Sequence, residues 1–480
     1  MTALVYFGRR RMEVITGRPI VCTDRDVVAR VDRVHRCGTD VKIYNNGRPD
    51  QCEESLLDEL RAIFGRDESP GGNVPFHAYL GLAMGGAADG TVRDVLYRAI
   101  ADRIAAMAPA DRQALAANMR LHWGRILGHE TVVTIERVGS RVGELTEGIG
   151  YLDGVELTKD DLAFEPGQKC VLQSRIAYYD PPPPDQPEAR GVQLLGGNIT
   201  DLAMNLAGAY ATYTRLTPEI IRSGSVLRVP AGVPASWAAL AEPTACLLDC
   251  FQKTTHEVGQ DRSGSILVKG VRPGGTTLVI GSGSMALMAG LLATMDDPVI
   301  RMGRAAEVVF AVRGRDKADL VHRILGGRPV TCVICGADAK LPAVTQEQYG
   351  QEFTRRTGKA FRGFDDVIVA AGDAQTVAVA HRLLAPTGGR VMAFAGTRGA
   401  CEIESGVWHY GNAGVLGTSG CNTKMMEVVL GLFARRSLDP SPLAGRVYRF
   451  ADLQAPDGID TFFADKHLRP CLEPGDTPDR

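Results

Sequence analysis

Thr276-Thr-Leu-Val-Ile-Gly-Ser-Gly-Ser-Met-Ala286 decides the fold class. Its first half is a short apolar run that reads as a buried strand. Gly281, Gly283 and Ala286 then take the positions of a glycine fingerprint. The first glycine permits a tight turn, the second lets a pyrophosphate approach the backbone, and the third place needs a small residue where helix meets strand. A helix opening there turns its free N–H groups toward phosphate. Gly281, Ser282, Gly283, Ser284, Met285 and Ala286 are therefore the candidate cofactor-binding turn. A glycine-rich turn in an unrelated α/β domain is the competing reading, and the surrounding pattern speaks against it. Apolar runs at 308–312, 331–335, 366–370 and 389–395 alternate with helical patterns at 284–294, 318–325 and 376–384. Strands and helices at this spacing make βαβ units on a parallel sheet.

The second strand bears on the choice of nucleotide. A site for NAD(H) commonly ends that strand with an acid, which bonds the ribose hydroxyls. Val308-Val-Phe-Ala-Val-Arg-Gly-Arg-Asp316 has no acid at the strand end; it has Arg313 and Arg315. Guanidinium groups there suit a 2′-phosphate, which favours NADP(H). Two other readings stand beside it: solvated loop arginines, or Asp316 folding back onto the ribose, which would restore NAD(H).

The remainder of the chain bounds the function. At 480 residues it is long enough for two domains with insertions. Hydrophobic residues make up 45% and charged residues 23%, an ordinary globular composition. A net charge of −2 carries no electrostatic footprint for nucleic acid or an anionic membrane. No window supplies the roughly 20 apolar residues that span a bilayer. Arg9, Arg10 and Arg11 follow the short apolar start instead of preceding it, unlike a secretory leader. A cytoplasmic protein is expected. Its 11 cysteines are scattered and odd in number, which suggests reduced thiols rather than a disulfide framework. Cys332 and Cys335 fall within an apolar strand and read as core thiols; Cys246 and Cys250 suit one buried helix face.

Upstream of the fingerprint, 3–7, 26–34 and 131–138 read as strands and 235–254 as a helix. The segment 45–127 carries helical spacing at 55–64 and 92–107, and prolines at 181–184 mark an extended loop. Three short strings stand at the edges of these elements. Cys37-Gly-Thr-Asp40 follows a strand, Gly128-His-Glu130 precedes one, and Glu242-Pro-Thr-Ala-Cys246 opens a helix. Each alone is weak, and a lone Cys37 or His129 would read as a core residue. In this order, with Gly208-Ala-Tyr-Ala-Thr-Tyr213, Phe364-Asp-Asp-Val-Ile-Val369 and Gly417-Thr-Ser-Gly420, they resemble the zinc-dependent medium-chain alcohol dehydrogenase/reductase superfamily. The resemblance points to its sorbitol dehydrogenase and L-sorbose-1-phosphate reductase-like branch, and covers nearly the whole chain apart from 45–127.

The resemblance implies an α/β fold: a Rossmann doubly wound parallel sheet, plus a GroES-like β-barrel catalytic domain with a helical insertion. Expected boundaries are 1–243 for the catalytic domain, with the insertion at 45–127; 244–436 for the nucleotide domain; and 437–480 for a return to the catalytic domain. It implies one catalytic zinc, with Cys37, His129, Glu130 and Glu242 as the metal positions. Thiolate, imidazole and carboxylate are zinc ligands, and a catalytic site keeps one position open. Glu130 and Glu242 are expected to exchange with water as substrate enters. Asp40 is expected to accept a hydrogen bond from the far nitrogen of His129, fixing its tautomer. Thr39 is the implied first proton carrier. Lys42 stands where relatives often place a relay histidine, and works as a relay only with a lowered pKa.

The implied activity is hydride transfer between NADP(H) or NAD(H) and the secondary alcohol or ketone of a polyol, sugar or cyclitol, phosphorylated or not. A homodimer or homotetramer is expected, with no nucleic-acid or membrane partner. Val133 replaces a glycine usual three residues after the metal glutamate, so a different local backbone is expected there. Many relatives carry a structural-zinc lobe of four closely spaced cysteines; only Cys170 lies between Gln168 and Ala211, so no structural zinc is expected. Two rivals remain: a zinc-free quinone or enone reductase on the same fold, and a non-catalytic NADP(H)-sensing protein.

Overall fold

The computed structural model describes residues 1–8, 10–18, 20, 22–46, 108, 125–145, 158, 160–177, 199–201, 207–335, 341–396 and 399–475. Nearly all of the expected insertion at 45–127, and the prolines at 181–184, lie outside the described residues. The chain divides into two compact units. The first is Met1–Val226 with Arg446–Lys466 and Pro470–Arg480; the second is Leu227–Gly445 with His467–Arg469.

The first unit is built on the strand Val27–His35, whose valines are buried. It pairs antiparallel with Glu130–Val138, from Val27 opposite Val138 to His35 opposite Glu130, with register shifts at two bulges. Tyr213–Leu216 and Cys471–Leu472 also pair with it, so the chain's last described segment joins the central sheet. Large side chains fill the core, with Tyr6, Tyr210 and Phe462 fully buried. Tyr210 meets the edge of Phe462 at 5.8 Å, and Tyr44 stacks on Phe463 at 4.3 Å. Such pairs contribute about 0.5–1.5 kcal/mol beyond the area they bury. Arg36 donates to the carbonyls of Phe462, Phe463 and Asp465 at 2.6–2.7 Å. Tyr44 Oη donates to Asp460 at 2.7 Å. These bonds tie the helix Gly458–Ala464 to the segment that carries Cys37.

The second unit contains a six-stranded parallel sheet. Its spatial order is Val330–Ile334, Glu307–Val312, Thr276–Ile280, Asp366–Val369, Arg390–Ala393 and Gly414–Gly417. Numbered along the chain, that is the doubly wound order of dinucleotide-binding domains, reversing direction beside Thr276–Ile280. The helix Ser284–Ala293 is apolar all round, and its residues from Ala286 to Ala293 are buried. Such a helix is a core element, not a surface one. A side chain at Gly290 would meet the Phe310 ring at 2.7 Å, so the glycine lets helix and sheet close.

Three features differ from the sequence reading. The expected helix at 235–254 is two helices, Ala235–Ala238 and Ala241–Lys253. The helix after the second strand begins at Arg315, not 318, with Gly314 extended at its N-cap. A hairpin, Thr255–Asp261 with Gly264–Gly270, precedes the nucleotide sheet and was not anticipated. Among the described residues no helix is long and apolar enough to cross a membrane.

Backbone strain gives a direct check on this fold. Gly363 has φ +114°, and a Cβ there would lie 2.4 Å from the Leu384 carbonyl oxygen. Gly358 ends the helix Gln351–Thr357 at φ +70° with open space around it. Gly363→Ala is expected to cost about 1–3 kcal/mol in urea unfolding, clearly more than Gly358→Ala. Equal losses would contradict the close approach.

Candidate metal and nucleotide sites

In the first unit, the register that sets His35 opposite Glu130 brings the residues just past one strand beside those just before the other. Cys37 and the pair His129-Glu130 occupy those places. Their ligand atoms all lie within 4.8 Å of one another. His129 and Glu130 are buried and Cys37 is half-buried. Gly128 is needed here: its φ is +89°, and a Cβ would strike the Tyr210 ring at 2.8 Å and Val34 at 2.9 Å. Without that clearance Tyr210 could not pack beside the site.

Asp40 is fully buried in the helix Gly38–Asn46. Its Oδ2 accepts from the Cys37 N–H at 3.0 Å and from Tyr210 Oη at 2.7 Å. Its Oδ1 lies 3.8 Å from His129 Nδ1. That approach is close for charges but too long for a hydrogen bond. The expected bond from Asp40 to the far nitrogen of His129 is therefore not made at this distance; the tyrosine and the Cys37 amide draw the carboxylate instead. The sequence reading missed Tyr210 as this partner, although it quoted the motif that contains it.

Burial pushes the Asp40 carboxyl above its usual range, opposed by the facing His129 and by the bonds from Tyr210 and Cys37. Burial also raises the Cys37 thiol, with the Glu130 charge adding to it and His129 working against it. A thiol, an imidazole and a carboxylate crowded out of water are the donors zinc takes, and a divalent cation would relieve their mutual repulsion. The donor set fits the metal. Thr39 sits in the same turn, its N–H 3.5 Å from Cys37 Sγ, and is half-buried. Lys42 is exposed.

In the second unit, Gly281 has φ +127°, and a Cβ would come within 3.0 Å of Ala371 Cβ. Ala286 is buried against the turn. Gly283 is the extended N-cap of Ser284–Ala293, which has no side-chain cap. Space is open where a Gly283 side chain would be. Together these leave the helix's first N–H groups to a ligand phosphate. Ser282, Ser284 and Met285 are half-buried in the same turn. Arg313 and Arg315 follow the strand Glu307–Val312; both are exposed, and neither pairs with a carboxylate among the described residues. Asp316 lies 3.6 Å from Lys317 Nζ. Glu242 opens the helix Ala241–Lys253, and its neighbours in this unit are Cys246 and Cys421.

No protein-family model matches the chain. The L-sorbose 1-phosphate reductase of Klebsiella pneumoniae is 25% identical over 294 residues, which cover 59% of this chain and 62% of that protein. The chain spans about three fifths of the length of the curated relatives it matches, 62% and 60%. The solved 2R,3R-butanediol dehydrogenase of Bacillus subtilis superposes with TM-score 0.61 at 13% identity, covering 99% of each chain. The galactitol-1-phosphate dehydrogenase of Escherichia coli gives 0.58 at 14% identity, covering 99% of this chain and 100% of the other. The chain has the fold of these solved dehydrogenases, and in sequence it is similar to the L-sorbose 1-phosphate reductase over those 294 residues.

The Tyr210–Asp40 bond is open to test. Tyr210→Phe leaves a buried carboxylate short of a donor and is expected to lose about 1–3 kcal/mol of stability. Chemical unfolding reads this directly, and an unchanged midpoint would show that the hydroxyl is dispensable.

Proposed function

We propose that the chain is a zinc-dependent, nicotinamide-linked oxidoreductase. Its substrate class is the secondary alcohol or ketone of a polyol, sugar or cyclitol, with phosphorylated forms included. The observation that carries this reading is the convergence of Cys37, His129 and Glu130 donor atoms within 4.8 Å. The substrate class rests on likeness to the sorbose-phosphate reductase relative.

Cys37, His129 and Glu130 would hold the metal, and Asp40 would keep the local charge and the Cys37 backbone in place. A bound zinc supplies Lewis acidity toward the substrate oxygen. Thr39, one turn from the ligands, is the residue proposed to take the hydroxyl proton, since its own hydroxyl both accepts and donates. Lys42, exposed to solvent, is the proposed outer station of that proton path. The turn Gly281–Ala286 would seat the pyrophosphate on the Ser284–Ala293 helix start. The nicotinamide supplies the hydride acceptor or donor. Arg313 and Arg315 are proposed to grip a 2′-phosphate, making NADP(H) the preferred nucleotide over NAD(H). The working form is proposed to be a homodimer or homotetramer, as the resemblance implies.

A panel of polyols, cyclitols and their phosphates, followed by nicotinamide absorbance with both nucleotides, tests the reaction class. Cys37→Ser is expected to abolish turnover while NADPH binding, read by fluorescence, is unchanged. Full activity after chelation would instead favour a zinc-free reductase. Turnover retained by Cys37→Ser would also sink the zinc reading.

Arg313→Ala combined with Arg315→Ala is expected to weaken NADPH by roughly 10- to 100-fold, the loss of one charge-assisted contact, and NADH far less. Equal losses for the two nucleotides would refute the arginine assignment.

A further inference from the structure

Among the described residues one other group of metal-ligating side chains converges: Glu242, Cys246 and Cys421, with ligand atoms all within 4.8 Å of one another. Helix geometry brings two of them together. Glu242 lies in the first turn of Ala241–Lys253, and Cys246 follows one turn later on the same face. Cys246 Sγ donates to Glu242 Oε1 at 3.4 Å. The third comes from a different element. Cys421 directly precedes Asn422, whose side chain caps Thr423–Ala434 by accepting from the Met425 N–H at 2.8 Å. That cap fixes the turn, and Cys421 Sγ lies 3.9 Å from the Glu242 carbonyl oxygen. Glu242 and Cys421 are each 7% exposed.

The spacing is what a tetrahedral metal demands of its ligands. Zinc–sulfur bonds of about 2.3 Å and zinc–oxygen bonds of about 2.0 Å at a tetrahedral angle put sulfur and oxygen roughly 3.5 Å apart. The Cys246–Glu242 edge is 3.4 Å.

We propose that Glu242, Cys246 and Cys421 form a second metal site that takes a thiophilic d10 cation, zinc or cadmium, with three protein ligands and one open position. Soft thiolates select such ions over magnesium or calcium. Loading releases the two thiol protons to solvent as two sulfur–metal bonds form, and nothing is oxidised or reduced. The family resemblance lends Glu242 to the Cys37 set; this proposal gives it to a set of its own. It does not depend on the dehydrogenase reading.

The test is metal stoichiometry on the full chain, loaded with zinc or cadmium, dialysed and measured by elemental analysis. The wild type is expected to hold two equivalents. Cys246→Ser with Cys421→Ser should remove one and leave the Cys37 site loaded; Cys37→Ser should remove the other. In cobalt-loaded protein, the thiolate charge-transfer band should fall by about two thirds in the double variant and by about one third in Cys37→Ser, following the count of thiolate ligands lost. Thermal melts of the metal-free proteins check that both variants fold, and Glu242→Gln, which keeps both thiols, should weaken the second equivalent if a variant does not. A single equivalent in the wild type that Cys37→Ser removes and the double variant keeps overturns the proposal; a single equivalent lost only in the double variant supports it and counts against the Cys37 site instead. So does a thiol count that shows Cys246 and Cys421 lost together to peroxide without metal uptake, which would mark them as a disulfide pair. Loss of turnover in Cys37→Ser with the second equivalent intact would separate the two sites' fates.

Discussion

The pairing of His35 with Glu130 is the contact on which the first site depends. It brings Cys37, at the end of one strand, beside His129 and Glu130, at the start of the other. The two are far apart in sequence, with the long 45–127 segment between them. That distance is less costly than it looks. Loop-closure entropy grows only with the logarithm of loop length, so each doubling costs roughly 0.6 kcal/mol. The antiparallel ladder, and not the intervening chain, fixes the geometry. A one-residue slip would turn every side chain of Glu130–Val138 to the opposite face. The buried valines of both strands make that slip expensive.

The register alone would leave the donors loosely aimed. Tyr210 and Asp40 tighten them. Tyr210 packs against Gly128, which has no side chain to obstruct it, and its hydroxyl holds Asp40. Asp40 in turn holds the Cys37 amide. The chain of contacts runs from a core aromatic, through a buried carboxylate, to the backbone of a candidate ligand. Because Tyr210 also meets Phe462, the return segment near the C-terminus supports the same corner. Sites whose supporting side chains are locked by packing hold their geometry better than sites on free loops.

Much of this was legible in the sequence, for physical reasons. Thr276–Ile280 has the bounds expected because a β-branched apolar run followed by glycine is hard to read otherwise. Cys37, His129 and Glu130, whose donor atoms converge in the structure, were singled out by the resemblance of the ordered strings that contain them, each string being weak alone. What escaped depended on tertiary neighbours. The hairpin Thr255–Gly270 has exposed Val258, Ile266 and Leu267, so its alternation shows no clear buried face. The helix Ala235–Ala238 falls in the second unit because Trp237 meets Phe433 at 6.1 Å and Arg436 lies 4.3 Å over the Trp237 ring. No local pattern announces those partners, and so the reading near 243 and the observed division at Val226 differ. Asp40 was assigned to the histidine by resemblance, whereas the donors within hydrogen-bond distance are the Tyr210 hydroxyl and the Cys37 amide.

The Cys37 group carries an electrostatic problem. Cys37, Glu130 and Asp40 are gathered where water is scarce, and each negative form opposes the others. His129 offsets only part of this. Such a cluster folds without a cation only by keeping its thiol and part of its carboxyl population neutral. A divalent ion changes the balance: the deprotonated forms become the favoured ones, and the free energy of binding adds to that of folding. Metal loading and local rigidity are then the same event. The helix-start site of the second unit works the other way. There, among the described residues, the helix start has no side-chain cap and Arg313 and Arg315 meet no carboxylate, so on the proposed reading a phosphate would supply the missing negative charge. On the proposed reading, the donor cluster of the first unit and the helix start of the second would each be balanced by a ligand of opposite sign.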